Sequence, residues 1–210
     1  AAIVSILDAV SVSAADLDES SKQRVQQARR RISAMMDLVH DLRRYAWLRS
    51  PAATGDLRQV DLHELLDAAV EQIAPKAELR GISVTCAAAE PIKVIGDEEM
   101  LRDLLGNLLA NAVQYTLPGG HVEIELTSQA GMATLTVADT GIGISPEAEA
   151  RMFEEFYRSE EARGHLPDGT GLGLAIARRI SELHHGRISA RGRRGGGAVF
   201  SVSIPLWAAR

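Results

Sequence analysis

The sequence predicts an α+β protein, a two-layer α/β sandwich with a mixed sheet, preceded by an all-α helical hairpin. Three observations predict it. Val25, Ala28, Ile32, Met35, Val39, Leu42 and Ala46 recur at alternating steps of three and four, the seam of a helical bundle. Segments such as 132–138, Met-Ala-Thr-Leu-Thr-Val-Ala, alternate as half-buried strands do. Between the strands lie segments with helical apolar spacing, 97–113 and Leu174–Ile180. The division falls near Gly55: a hairpin over 1–50, a linker over 51–60 that opens with Ser50-Pro-Ala-Ala-Thr-Gly55, and a second domain over 61–210.

In chain order, Ile3, Ile6, Leu7 and Val10 share one side of a first helix, and Asp18 with Ser20 and Ser21 forms a turn and cap into the second. Two such helices expose more apolar surface than they cover between themselves, so pairing with a second copy as a four-helix bundle is expected. Asp61-Leu-His-Glu64 resembles a capping box opening a helix to about residue 74. Strands follow at 82–87, 92–95, 121–128, 132–138, 187–191 and 198–204, with Trp207 and the last residues covering an edge.

Four segments carry chemistry. In the helix over 97–113, Met100, Leu101, Leu104, Leu105, Leu108, Leu109 and Ala112 define the apolar face, and Asn107 and Asn111 lie one turn apart on another. Neutral amide oxygens suit a hard cation that also keeps waters and phosphate oxygens, although an isolated Asn-x-x-x-Asn serves equally as a cap or surface pair. Asp139 ends a strand and opens the turn Asp139-Thr-Gly-Ile-Gly143. A carboxylate fixed there can accept from an exocyclic amine such as adenine's, and Gly141 and Gly143 let backbone pass a ring; alone, Asp-x-Gly is an ordinary turn. Gly169-Thr170-Gly171-Leu172-Gly173 opens a helix, which makes an anion site for phosphates from backbone N–H groups. A dinucleotide fingerprint is excluded by Pro146 at its third glycine position, and no Gly-Lys-Ser/Thr exists for a P-loop.

Taken with Phe153-Glu-Glu-Phe-Tyr157, these segments resemble in order, spacing and type the N, first glycine, F and second glycine boxes of sensor histidine kinases. That family has the Bergerat ATP-binding fold, shared with gyrase, mismatch-repair ATPases and a heat-shock chaperone. The resemblance implies ATP and Mg²⁺ as cofactors. It implies that Asn111 holds Mg²⁺, Asp139 binds the adenine amine and Tyr115 packs on the base. Gly141, Gly143, Gly169, Thr170, Gly171, Leu172 and Gly173 would complete the ATP site, and Phe153 to Gly169 would form a mobile lid. Asn107 is a catalytic candidate with Asn111. Relatives that hydrolyse ATP or phosphorylate serine carry a glutamate four residues before the metal-binding asparagine, and an amide there cannot act as a base. A neutral imidazole needs none, since it already offers a lone pair. Gln114 stands where many histidine kinases have lysine or arginine, so Arg158, Arg163 and His165 in the lid are candidates to face the phosphates; for Arg163 and His165 a solvated loop is an equal reading.

The resemblance also implies a homodimer through residues 1–50 and a response regulator receiver domain as partner. The family's phosphoacceptor opens a His-Glu/Asp-x-Arg-x-Pro motif, and Ala1 to Leu7 looks like the stretch after it, so the acceptor is expected before Ala1. His40-Asp41-Leu42-Arg43 imitates the motif but lacks its proline and adjoins the seam, which makes His40 a candidate second to a histidine on the bundle flank. His63, His121, His184 and His185 read as surface or packing residues without zinc-ligand spacing. Two readings of other classes stay open: a serine or threonine kinase of the anti-sigma type, and a nucleotide-binding scaffold that transfers no phosphate.

Composition fits these expectations. With 210 residues and 46% hydrophobic content the chain can bury one core and an appendage. A net charge of −5 gives no reason to expect nucleic acid, and Arg29 to Arg31 fan around a helix while Arg191 to Arg194 lead into a hairpin turn at Gly195 to Gly197. A single cysteine, Cys86, excludes a disulfide framework and fits a reducing cytosol; it reads as a small buried strand residue. No apolar run reaches the length of a membrane span and Ala1 begins no signal peptide, so a cytoplasmic segment without direct membrane contact is expected, with a membrane anchor further upstream in a parent protein left open.

Overall fold

A computed structural model of the chain describes residues 18–50, 53, 56–88, 90–193 and 195–207. The expected first helix lies outside the described residues. Helix α1 spans Glu19–Leu48, and Asp18 caps it as expected, its carboxylate accepting from the Ser21 N–H at 3.3 Å. The chain then folds as β1 (Arg58–Asp61), α2 (Leu62–Leu79), β2 (Ser83–Ala88), β3 (Lys93–Gly96), α3 (Glu98–Tyr115), β4 (His121–Gln129) and β5 (Met132–Asp139). It continues as α4 (Pro146–Arg151), α5 (Glu160–His165), α6 (Gly173–Leu183), β6 (Arg187–Gly192) and β7 (Ala198–Pro205).

Five strands form one sheet in the order β2-β4-β5-β7-β6; β2 and β4 are parallel and every other pair is antiparallel. Helices α2, α3 and α6 cover one face, with α3 in contact with both neighbours. Parity explains the layers. Val122, Ile124, Val137, Phe200 and Val202 point into the core, where they meet Leu104, Leu105, Leu108, Ile176 and Ile180. Each such side chain contributes about 1.5–3 kcal/mol relative to leaving it exposed. The alternate residues, Glu123 and Glu125 among them, face solvent.

Three departures from the expected elements have local causes. Arg58–Asp61 is a strand, pairing antiparallel with β3 in a second, two-stranded sheet. Helix α2 runs past Pro75 because Ile73 and Ala77, one turn apart, are both buried; packing carries the last turn where the proline ring removes a bond. Helices α4 and α5 are six residues each, capped by Ser145 and Ser159, and too short to show a period. Cys86 corrects an expectation outright. It is exposed, because β2 is an edge strand and leaves its end uncovered, and burial of part of the thiol still pushes its pKa up. Near the chain end, Val94 bridges Leu206 and the Trp207 N–H donates to the Lys93 carbonyl at 2.9 Å, while the last three residues of the expected edge cover lie outside the described residues.

Candidate nucleotide-binding site

Between α3, the β5–α4 turn, the α5 region, the loop before α6 and one side of α1 lies a cleft of about 630 Å³. Asn107, Asn111, Gln114 and Tyr115 reach it from α3; Asp139 and Gly143 from the end of β5; Arg158, Gly169, Thr170, Gly171 and Gly173 from the far side. Residues distant in sequence thus meet because α3 lies along the sheet while β5 ends beside its last turn.

Asp139 is buried, 3% exposed. Its Oδ1 accepts two backbone N–H bonds, from Gly141 at 2.8 Å and Ala198 at 3.2 Å, and neither engages Oδ2. Burial raises the pKa of the carboxyl, and the two N–H groups only partly offset that. A raised folded-state value means that the ionised form carries a cost of folding above its ordinary range. Gly197 makes the arrangement possible: its φ is +90°, and a Cβ there would overlap the Asp139 carbonyl. The hairpin turn at Gly195 to Gly197 therefore serves as the floor beneath Asp139, a role that nothing in the local pattern signals.

Gly141 and Leu172 do not line the cleft. A Cβ on Gly141 would overlap the Tyr115 carbonyl, which accepts the Ile142 N–H at 3.2 Å; this glycine lets the Asp139 turn close on the end of α3. Leu172 is wholly buried, and its N–H donates to Thr170 Oγ1 at 3.2 Å, shaping the glycine loop from behind. Gly171, at φ +73°, leaves no room for a Cβ against the Phe156 backbone, and the Phe156 N–H donates to its carbonyl at 3.0 Å.

The cations are arranged otherwise than the sequence suggests. The Arg158 guanidinium donates to the carbonyls of Pro167 at 3.0 Å, Gly169 at 3.1 Å and Ala162 at 2.8 Å, and to that of Leu166. It lines the cleft and is at the same time a strut inside the 158–169 segment, with both Nη nitrogens engaged by backbone carbonyls. Arg163 is exposed and does not line the cleft. The His165 ring lies 5.9 Å from that of Tyr115, with Nε2 at 2.8 Å from the Gln114 carbonyl. From α1, Arg30, Asp37, His40 and Asp41 reach the cleft, and Thr170 Oγ1 donates to Asp41 at 2.7 Å. His40, expected on the bundle flank, is an exposed residue of α1 that lines the cleft.

Residues 96–208 match the family described as histidine kinase-, DNA gyrase B-, and HSP90-like ATPase. The chain belongs to that family. Among curated relatives, this member is 36% identical over 184 residues to the sensor histidine kinase RppB of Synechocystis sp., covering 87% of this chain and 40% of that protein. It is 34% identical over 175 residues to the signal transduction histidine-protein kinase BaeS of Escherichia coli strain K12, covering 83% of this chain and 38% of the other. The chain therefore spans about two fifths of the curated relatives it matches. Full-length ShkA in complex with AMPPNP superposes with a TM-score of 0.75 at 33% identity, over 92% of this chain and 40% of ShkA. The catalytic domain of histidine kinase ThkA gives 0.63 at 27% identity, over 71% of this chain and 95% of that one. Among the described residues of this histidine kinase-like ATPase, no helix is long and apolar enough to cross a membrane.

Proposed function

We propose that this chain binds Mg-ATP in the cleft and is the core of a sensor histidine kinase, transferring the γ-phosphoryl to a histidine that passes it to an aspartate of a response regulator receiver domain. The observation that carries the reading is Asp139: a buried carboxylate with Oδ1 fixed by two N–H groups and Oδ2 left for the exocyclic amine of adenine. Tyr115 packs on the base. Phosphates run toward the loop Gly169 to Gly173, whose N–H groups and helix α6 favour an anion.

The residues present fit a magnesium ion. Asn107 and Asn111 bring two neutral amides to the cleft, and among the described residues no three His, Cys, Asp or Glu side chains gather into a metal cage. That donor set suits an ion held by one or two side chains, waters and phosphate oxygens, with Asn111 as the protein's ligand. When bound, Mg²⁺ neutralises charge on the phosphates. Asn107 orients by its amide and takes no proton, which matches an imidazole acceptor and counts against the anti-sigma type of serine kinase.

The remaining assignments belong to the same proposal. Residues 1–50 form the dimerisation hairpin, 51–60 the linker and 61–210 the ATP-binding domain. The acceptor is a histidine other than His40, and this portion works in the cytoplasm. Calorimetric titration with ATP, with and without Mg²⁺, tests the site. Asp139→Ala is expected to abolish nucleotide binding, and Asn111→Ala to remove its Mg²⁺ dependence. Unchanged titrations in both variants would sink the assignment.

A further inference from the structure

Helix α3 carries the cleft-facing Tyr115 in its last turn and has no basic residue there. A helix C-terminus leaves unpaired carbonyls and the negative end of the dipole, so that turn needs donors from elsewhere. They come from Arg80, the C-cap residue of α2. Its Nη1 donates to the Val113 carbonyl at 2.5 Å and the Gln114 carbonyl at 2.8 Å, and its Nη2 donates to that of Thr116 at 3.0 Å. Two other partners share the turn. The Tyr115 carbonyl accepts the Ile142 N–H from the Asp139 turn, and the Gln114 carbonyl also lies 2.8 Å from His165 Nε2. One guanidinium thus fixes the helix end against which both the Asp139 turn and the α5 segment rest. Arg80 does not itself line the cleft.

We propose that Arg80 is a positioning residue for adenine recognition: by forking across three carbonyls it sets the spacing between Tyr115 and Asp139. The inference rests on the nucleotide reading of the cleft. A planar guanidinium reaches three acceptors spread over one turn, whereas an ammonium concentrates its donors on a single nitrogen. Without the fork the half-buried carbonyls lose charge-assisted partners, the last turn frays, and the wall on the base side loosens. The damage falls on the part common to all adenine ligands.

The test is titration of adenosine, ADP and Mg-ATP into the full chain as wild type, Arg80→Met and Arg80→Lys, with thermal melting of each apo protein. Arg80→Met is expected to weaken all three ligands by the same factor, about tenfold. Arg80→Lys is expected to recover part of that loss. A lower melting temperature with unchanged affinities would make Arg80 merely stabilising and overturn the proposal, as would a loss that grows with the number of phosphates. If Arg80→Met does not fold, wild-type affinity in Arg80→Lys overturns it. Wild-type protein that binds none of the three would defeat the nucleotide reading itself, a result distinct from a failure of Arg80 alone.

Discussion

His184 shows how a single buried side chain ties the site's scaffold together. It is 3% exposed, with Nδ1 2.8 Å from the Ile180 carbonyl and Nε2 3.0 Å from the Asp97 N–H. The second contact requires Nε2 to accept, so the ring is neutral with its proton on Nδ1. Burial lowers its pKa from 6.5 and nearby His185 acts the same way, while the Ile180 carbonyl and Asp97 oppose them. The folded value lies below the unfolded one, so the stability it gives is complete above pH 6.5 and is lost as pH falls below that. Melting temperature measured from neutral to mildly acidic pH should fall, and His184→Gln, which cannot titrate there, should flatten that part of the profile. An equally steep decline in the variant would assign the effect elsewhere. From the sequence, His184 reads only as surface or packing, since Asp97 is its neighbour in space alone. Arg158 was hidden in the same way: its spacing from Gly169 is visible, but its capture of four carbonyls between Ala162 and Gly169 is not. The positions of Asn107, Asn111, Asp139 and Gly173 were legible because each belongs to a short segment whose local geometry determines where it faces.

At the scale of elements, period did most of the work. Strand alternation places the expected strands within a residue or two of those observed, because in β4, β5 and β7 alternate residues are buried in the core beneath the helices. Strand β1 was not legible, since Arg58-Gln-Val-Asp61 buries only Val60 and is held by pairing with β3. The glycine hairpin between β6 and β7 was legible as a turn and illegible as a floor. Gly195 and Gly197 separate those two meanings. Both have positive φ, +93° and +90°, but nothing lies within 4 Å of a Cβ on Gly195, whereas one on Gly197 strikes Asp139 and Thr140. Gly195→Ala should therefore cost about 1 kcal/mol from backbone strain alone. Gly197→Ala should cost about 1–3 kcal/mol more and also weaken ATP binding, by shifting the N–H of Ala198 from Asp139. Urea unfolding with ATP titration checks both; equal losses in the two variants would show that the turn does not support Asp139.

Across the whole molecule, α1 lies against the ATPase domain through its C-terminal half. Leu48 is fully buried, its carbonyl accepts from Arg179 at 3.1 Å, and Arg44 pairs with Glu99 at 3.0 Å and with Asp103. Tyr45 donates to Glu155, and Asp41 holds Thr170 of the glycine loop. Meanwhile Met35 and Val39 are 65% and 66% exposed on the seam, an apolar stripe that suits the proposed pairing with a second copy. The helix itself was legible from the heptad-like steps of its apolar residues. Which other side of α1 would meet the cleft was not, because that depends on the path of the chain after Leu48. Phosphoryl transfer from this cleft to a histidine is what the proposed function turns on. Its most direct test is to supply γ-labelled Mg-ATP to the chain together with a dimerisation domain bearing the His-Glu/Asp-x-Arg-x-Pro motif. Label is expected on the supplied histidine, labile to acid and stable to alkali, with none on the chain itself. Acid-stable label on a hydroxyl, label on His40, or tight ATP binding with no transfer would contradict the proposed function.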